Sequence, residues 1–411
     1  MGVARRVLLK GAGAVVVVGG AGSAWRAWDQ GVFSVGRGPA YEAWYRWRSD
    51  PAEGPVALVR AAVLAANPHN SQPWLFRVTD SCVDLFADPS RTLGPIDPDL
   101  REMYVGLGCA LENLLLTADA LGYAWQLTLL PERGNPTHAA RITLGPGRPT
   151  PVALYEAIPR RHTNRGPYDP TRPVERDLLD DMARTAGEGV RLLWFMDERD
   201  RRRLGNLIVR ATEAVVADEG QSWASARWLR LRWPDVQRYR DGITVDANIT
   251  SPVRRAVAKM LPPLSREAGD QFWLAATRET FVATAAGFGM LIVRNAHDDA
   301  QRLCGGRAWQ RLHLAATAHG LALQPLNQPT ERADREQTLG ITRTFGKALG
   351  ELVGDRAWEA LMTFRIGYPT RAAAFSPRRA AEAVLIRPSP ELRPDLPDRG
   401  PLVSRPVGQS Q

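Results

Sequence analysis

The sequence is poor in lysine and cysteine. The shortage of lysine determines which residues carry the positive charge of the surface. Lysine occurs only at positions 10, 259 and 347, so arginine carries nearly all of the positive charge. The arginines alternate with acids, as in DERDRRRLG (197–205), and the net charge of +9 is not gathered into a basic block. A charge-mixed surface of this kind is typical of solvated protein, and no nucleic-acid partner is expected.

The shortage of cysteine argues against metal-binding and disulfide-rich classes of protein. Cys82, Cys109 and Cys304 are widely spaced and form no CxxC or Cys/His cluster. Three buried thiols are the simplest interpretation. HExxH, GxSxG and Walker patterns are also missing, so neither a metal nor a protein nucleophile is expected to carry chemistry.

Apolar runs long enough to cross a bilayer are not expected after the N-terminus. Residues 1–24 differ from the rest, because paired arginines in RRVLLK (5–10) precede a short apolar run that ends in small residues. This order is typical of an export signal and resembles the twin-arginine type. We expect an exported protein of the periplasm or cell envelope, which contacts the membrane only through this signal if it stays attached. The alternatives are an uncleaved amphipathic or anchoring tail, or a cytoplasmic protein if the segment is no signal.

A polar stretch, ANPHNSQPW (66–74), stands between an apolar run and a strand-like segment. Its prolines and asparagines predict an ordered loop between a helix and a strand. The side-chain amides of Asn70 and Gln72 can donate and accept hydrogen bonds at once, which suits the edge of a pyrimidine-like ring. The alternative is that they cap local backbone groups. Pro73 and Trp74 are expected to fix the loop and to give apolar contact.

Two stretches, 106–131 and 305–329, repeat each other at an offset of 198 residues, which aligns Gly108 with Gly306. Each has apolar residues at helical spacing, a closing glycine and then an apolar or alternating strand. Each half later ends in a strand that runs into a turn with Gly and Pro. We predict an α+β fold in which two similar α/β halves pack as an intramolecular pseudo-dimer.

The halves are predicted at 40–150 and 151–375, and they are not equivalent. Only the first contains the polar loop. Only the second contains IPRRHTNRGPYD (158–169) and an insertion rich in Trp and Arg at about 218–268. A basic, proline-rich arm and tail follow at 376–411. Such a difference is expected if two sites of a symmetric ancestor became one composite site.

Three arginines surround a threonine in RRHTNR (160–165). In an extended segment the alternate side chains of Arg161, Thr163 and Arg165 converge, and arginine forks suit phosphate oxygens. The alternative is a surface linker with solvated arginines. A phosphate clamp in one half and an amide-bearing loop in the other together suggest a phosphorylated aromatic cofactor between the halves.

The two motifs together resemble the nitroreductase family of FMN proteins, and specifically its fused, Acg-like branch. RRHTNR is similar to the R-x-S-x-R segment that holds the FMN phosphate, with Thr for Ser. HNSQPW is similar to the P-S-x-x-N-x-Q-P-W loop that reaches the flavin from the other subunit, although Ala66 and Asn67 replace its Pro and Ser. The resemblance implies bound FMN and a set of contact residues: Asn70, Ser71, Gln72, Pro73, Trp74, Arg161, Thr163, Arg165, Gln324, Leu326, Arg378 and Arg387.

The resemblance also implies an activity. It is that of an FMN-dependent oxidoreductase, with hydride transfer through flavin N5 from NAD(P)H to a quinone-like or nitroaromatic acceptor. The insertion is expected to cover the flavin as a lid, with Trp223, Trp228 and Trp233 as its apolar contacts. A covered flavin points instead to a protein that sequesters free FMN without nicotinamide-dependent turnover. Two other activities remain as alternatives: electron transfer that involves quinols near the membrane, and fragmentation of the flavin. A further association of two pseudo-dimers also stays open.

Overall fold

The computed structural model of the chain describes residues 20–48 and 54–386. Residues 1–19 of the predicted export signal lie outside the described residues. Arg387 and the tail that follows it also lie outside them. Export, signal cleavage and a phosphate contact from Arg387 therefore stay predictions.

The described part is built from helices and strands in mixed order. The helices are α1 (Gly20–Asp29), α2 (Glu42–Tyr45), α3 (Val56–Ala62), α4 (Arg101–Leu121), α5 (Arg176–Arg184), α6 (Glu198–Ala217), α7 (Glu219–Ala226), α8 (Trp233–Tyr239), α9 (Val245–Asn248), α10 (Pro252–Met260), α11 (Arg266–Ala276), α12 (Asp299–Ala318), α13 (Gln328–Leu339) and α14 (Thr344–Val353). The strands are β1 (Trp74–Thr79), β2 (Cys82–Ala87), β3 (Tyr123–Leu129), β4 (His138–Pro146), β5 (Val190–Phe195), β6 (Leu229–Arg230), β7 (Ile243–Thr244), β8 (Gly287–Val293), β9 (Ala322–Pro325) and β10 (Glu359–Gly367).

The longer strands form two separate four-stranded antiparallel sheets. One has the order β1-β2-β4-β3 and the other the order β5-β8-β10-β9. The first sheet falls within the predicted first half and the second sheet within the predicted second half. The α+β class is confirmed, and the strands predicted after each repeated helix are present as β3 and β9.

The two repeated helices, α4 and α12, pack directly against each other in the core. Their aligned glycines make the contact close. A Cβ atom on Gly306 would lie 2.0 Å from the carbonyl oxygen of Val105, and one on Gly108 would lie 2.2 Å from that of Leu303. Only a residue without a side chain lets two helix backbones approach to this distance. The glycines paired by sequence offset therefore meet in space, while the description of the halves as a pseudo-dimer stays a prediction.

The two sheets differ most in the connection between their first two strands. β1 and β2 are joined by the two residues 80–81, whereas β5 and β8, which hold the same places in the second sheet, are joined by residues 196–286. This connection contains α6 to α11 and a π-helix, Thr277–Val282. The insertion predicted at 218–268 lies inside it, and we call residues 218–268 the insertion below.

One described helix, α4, is long and apolar enough to cross a bilayer, which corrects the expectation that no such stretch follows the N-terminus. Its most apolar window is 83% buried inside the protein. That burial, together with its packing against α12, makes α4 the core helix of the fold.

Candidate functional site

The polar loop adopts a backbone conformation that non-glycine residues avoid. His69, Asn70 and Gln72 have φ angles of 48°, 54° and 53°. Arg240 in the insertion has a φ of 55°, and its carbonyl accepts a 2.9 Å hydrogen bond from Gln72 Nε2. Each left-handed residue costs about 1 kcal/mol or more, and such strain tends to gather at functional sites. Two strained segments therefore meet here.

The amide of Asn70 is fully engaged by protein groups. Its Nδ2 donates to the carbonyl of Gly242 at 3.1 Å and to that of Pro377 at 2.9 Å. Its Oδ1 accepts a hydrogen bond from Arg378 Nη1. The amide thereby joins the polar loop to the insertion and to the C-terminal arm. In this structure the amide forms hydrogen bonds with two backbone carbonyls and an arginine. This agrees with the alternative that the amide caps local protein groups and does not bind the edge of a ring.

Gln72 is fully buried and, like Asn70, joins the polar loop to the insertion and to the C-terminal arm. Its Nε2 contacts Arg240, as described, and its Oε1 accepts from the backbone N–H of Arg379 at 2.8 Å. Ser71, Pro73 and Trp74 complete the loop. Ser71 and Trp74 have no exposed surface, and Trp74 opens β1 in the core. These four residues shape the loop and do not line the cavity beside it.

A small polar cavity of about 30 Å³ lies between the loop, the arginine segment and the arm. Five predicted site residues line it: Asn70, Arg161, Thr163, Arg165 and Arg378. Ala66 and Asn67 also line it. The structure thus brings together residues from the polar loop, the RRHTNR segment and the arm.

The three arginines of this cavity lack acidic partners. Arg161 is 2% exposed and donates from Nη2 to the carbonyl of Leu64 at 2.9 Å, while Arg378 is 4% exposed and donates to that of Ala65 at 3.2 Å. The Nε atoms of both are buried without a partner. No carboxylate within residues 20–48 and 54–386 pairs with either of them or with Arg165. Because buried cations are normally paired, this concentration of positive charge favours a multivalent anion.

Burial and mutual repulsion shift the protonation equilibria around the cavity. Burial lowers the pKa of Arg161 and of Arg165 to about 10. Burial, then Arg161 and Arg378, lower the pKa of His162 to about 3. Burial and Arg165 lower the pKa of His69 to about 4. At neutral pH the arginines are charged and both histidines are neutral.

An aromatic wall beside the cavity was not identified from the sequence. Trp44 lies 4.7 Å from His162 and 5.5 Å from Phe375 between ring centroids, and the guanidinium of Arg378 lies 5.0 Å from the Trp44 ring. Trp44 Nε1 donates to the carbonyl of Ser376 at 2.8 Å. The wall holds the C-terminal arm in place, so that Arg378 faces the cavity.

Gln324 and Leu326 do not line this cavity. Leu326 is buried, and its N–H donates to the carbonyl of Thr363 at 2.8 Å. The Oε1 of Gln324 accepts from Arg365 Nε at 2.8 Å, and Arg365 Nη2 donates to the carbonyl of Gly166 at 2.7 Å. Gln324 therefore reaches the arginine segment through Arg365, a buried cation that sequence analysis did not single out.

The three tryptophans predicted to cover a flavin also lie away from the cavity. Trp223 is exposed, Trp228 is buried in a small cluster with Leu93 and Ile96, and Trp233 stacks on Tyr41 at 6.0 Å. The insertion contacts the polar loop through backbone groups at 240–242 and through Ser225, whose Oγ lies 3.2 Å from His69 Nε2. Among the residues that the structure describes, no group of three or more His, Cys, Asp or Glu side chains is arranged to hold a metal ion.

Comparisons with known proteins give relatives that match most of the chain and others that match a shorter part of it. It is 28% identical over 353 residues to the "Putative NAD(P)H nitroreductase Rv3131" of Mycobacterium tuberculosis, an alignment that covers 83% of this chain and 94% of that one. It is 32% identical over 132 residues to the "Putative NAD(P)H nitroreductase acg" of the same organism, covering 31% of this chain and 39% of that one. No protein-family profile matches.

Similar solved structures cover a little over half of the chain. The FMN-dependent nitroreductase NfnB from Mycobacterium smegmatis, in complex with NADPH, has 16% identity and a TM-score of 0.34, covering 56% of this chain and 95% of that one. A nitroreductase with bound FMN from Bacteroides fragilis has 14% identity and a TM-score of 0.34, with the same 56% and 95% coverage.

Proposed function

We propose that the protein binds FMN at the arginine cavity and acts as an oxidoreductase of the nitroreductase type. The observation that carries this proposal is the set of three cations, Arg161, Arg165 and Arg378, without an acidic partner. The similarity to Rv3131 over most of both chains supports it, because that relative's name is that of an NAD(P)H nitroreductase.

The residues of the cavity fit a phosphate group. The unpartnered Nε atoms of Arg161 and Arg378 are free to donate, Arg165 makes no hydrogen bond or ion pair within the described residues, and Thr163 adds a hydroxyl. Charge-assisted hydrogen bonds from several guanidinium groups are the usual means of holding a phosphate dianion. The volume of about 30 Å³ does not admit a three-ring system, so the cavity fits the phosphate end of the cofactor and not its rings.

Bound FMN supplies hydride transfer between a nicotinamide nucleotide and an electron acceptor such as a quinone or nitroaromatic compound. The chain's own residues bind and orient it. The arginines hold the phosphate and keep the local potential positive, while the polar loop and the arm enclose the site from two sides.

The phosphate assignment is tested by comparing FMN with riboflavin, which lacks the phosphate, on purified full-length protein. Arg161→Met and Arg165→Met are each expected to weaken FMN binding by about 2–3 kcal/mol, roughly 30- to 150-fold in Kd, because a buried charge-assisted contact is lost. The measurement is a flavin fluorescence titration. Riboflavin affinity should change far less in both variants.

Arg160→Met is the matched control, because Arg160 is the exposed neighbour of Arg161. It should bind FMN as the parent does. Full FMN affinity in both Arg161→Met and Arg165→Met, or equal affinity of the parent for FMN and riboflavin, would rule out the phosphate clamp.

A second candidate function is supported by the closed insertion. Its backbone groups at 240 and 242 accept hydrogen bonds from Gln72 and Asn70 and fix the polar loop, as expected of a protein that stores FMN without nicotinamide-dependent turnover. Anaerobic titration of the FMN-loaded protein with NADH and NADPH separates the two functions. Bleaching of the flavin absorbance supports the oxidoreductase, and bleaching by dithionite alone supports the flavin store or a partner-fed enzyme.

A further inference from the structure

Large apolar side chains are exposed on α1 and just after the end of α10, two segments that are in contact. Trp25 and Trp28 are 64% and 74% exposed, and Leu261 and Leu264 are 46% and 41% exposed. Trp25 and Trp28 stand three residues apart on α1, so they project from the same side of that helix. We call these four residues the Trp–Leu face. Exposed apolar groups gathered in this way mark an interaction surface.

The Trp–Leu face is held together by contacts between distant parts of the chain. Arg26 Nε donates to the carbonyl of Met260 at 2.8 Å, and Lys259 Nζ donates to the carbonyl of Gly31 at 3.0 Å. Trp25 and Leu261 line one groove of about 330 Å³, together with Leu231. Trp25 of α1 and Leu261 after α10 thus meet at one groove, and Trp28 and Leu264 are their exposed neighbours three residues along the chain.

The charge around the face is positive. Arg26 and Arg232 line the groove with one acid, Asp29, which accepts a hydrogen bond from Gln30 at 2.6 Å. The sequence leading into α1 contains Arg5, Arg6 and Lys10 and no acid before Asp29. Tryptophan rings with neighbouring arginines suit the interface of a bilayer with anionic headgroups.

We propose that the Trp–Leu face binds the surface of an anionic lipid membrane. Two observations favour a bilayer over a protein partner. The apolar residues 11–19 lead directly into α1, and the cations outnumber the acid at the groove. Trp25 and Trp28 insert at the headgroup level, Leu261 and Leu264 reach the acyl boundary, and Arg26 and Arg232 contact phosphate groups. The proposal is independent of FMN binding.

The test is sedimentation of the full-length protein with vesicles of phosphatidylcholine and phosphatidylglycerol in a 7:3 ratio. Leu261→Glu/Leu264→Glu is expected to lower the vesicle-bound partition at least tenfold, because two carboxylates replace apolar groups at an anionic surface. These leucines lie far in sequence from residues 1–19, so a loss cannot come from a changed N-terminal segment. Leu339→Glu/Ile341→Glu is the matched control, since both residues are exposed apolar groups at the end of α13 and beyond it. It should bind as the parent does.

Equal binding of the two double variants would overturn the proposal, because the N-terminal segment alone would then account for attachment. A second measurement does not depend on folding of a variant. Lipids brominated on the acyl chain should quench tryptophan fluorescence in the parent, and less so in Trp25→Phe/Trp28→Phe. Unchanged tryptophan fluorescence of the parent on addition of brominated lipid would overturn the proposal. So would a protein that forms oligomers through this face without lipid and does not bind vesicles.

Discussion

Arg365 lies outside the cavity and contacts the arginine segment that lines it. Its guanidinium is fully buried, lies 3.8 Å from the centroid of the Tyr168 ring and donates to the carbonyl of Gly166, one residue after Arg165. It has no ion-paired carboxylate within the described ranges. Cation–π and carbonyl contacts take the place of an acid, so the net positive charge of the arginine segment is kept for a ligand.

Arg365→Met is therefore expected to weaken FMN binding by more than tenfold without removing any group that lines the cavity. The segment 164–166 loses its hydrogen bond to the sheet and no longer holds Arg165 in place. A flavin fluorescence titration measures this. Arg191→Met is the control, because Arg191 is an exposed arginine over the Trp358 ring at 4.2 Å in the same sheet. A parent-like Kd in Arg365→Met would show that Arg365 does not position the site.

Sequence reasoning reached some of these residues and not others for a physical reason. Arg161, Thr163 and Arg165 form a local pattern, since alternate side chains of an extended segment face one way. Trp44 and Arg365 act through contacts across 332 and 199 residues of chain, to Ser376 and Gly166. Such contacts leave no local pattern, so they could not be predicted.

At the scale of elements, α4 and α12 cross with their backbones in close contact. Gly306→Ala is expected to lower the free energy of unfolding by about 3 kcal/mol, at the upper end for overpacking, because its Cβ would meet backbone rather than a flexible side chain. Urea unfolding followed by circular dichroism measures the change.

Gly350→Ala is the matched control for that prediction. Gly350 is also helical, in α14, and a Cβ there meets nothing within 4 Å. This substitution should raise stability by about 0.5–1 kcal/mol, the ordinary helix propensity gain. Similar effects of the two substitutions would contradict a close backbone contact at Gly306.

Some secondary-structure elements could be predicted from sequence patterns and others could not. The repeated helices were predicted because their buried faces recur at helical spacing. The connection between β5 and β8 spans 196–286, more than the predicted 218–268, because tryptophan and arginine content marked only part of it. The amphipathic α6, with buried Leu204, Leu207 and Ile208, packs on the second sheet and so resembles an ordinary core helix.

For the whole molecule, the neutral histidines make stability depend on pH. The folded-state pKa values of His69 and His162, about 4 and about 3, lie below the ordinary value of 6.5. The unfolded chain therefore binds more protons below pH 6.5, and the free energy of unfolding falls as the pH drops from 6.5 towards 4. Each histidine contributes about 1.4 kcal/mol per pH unit in this range.

His162→Gln isolates one of these contributions. Its unfolding free energy, measured by urea denaturation between pH 7 and pH 4.5, should fall less steeply than that of the parent by about 1.4 kcal/mol per unit. Carboxylates titrate equally in both proteins and cancel in the comparison. Parallel slopes would show that burial, Arg161 and Arg378 do not hold His162 neutral in the folded protein.

The hydrogen bond between Asn70 and Arg378 spans 308 residues of chain, and this has a consequence for biosynthesis. The polar loop leaves the ribosome long before the arm does. Asn70 therefore has no hydrogen bond to Arg378 while the intervening sheets fold. The cavity closes only when the arm arrives. If FMN binds at this cavity as proposed, its retention would report that translation has reached the arm, and we expect a nascent chain that stalls before residue 378 not to retain it.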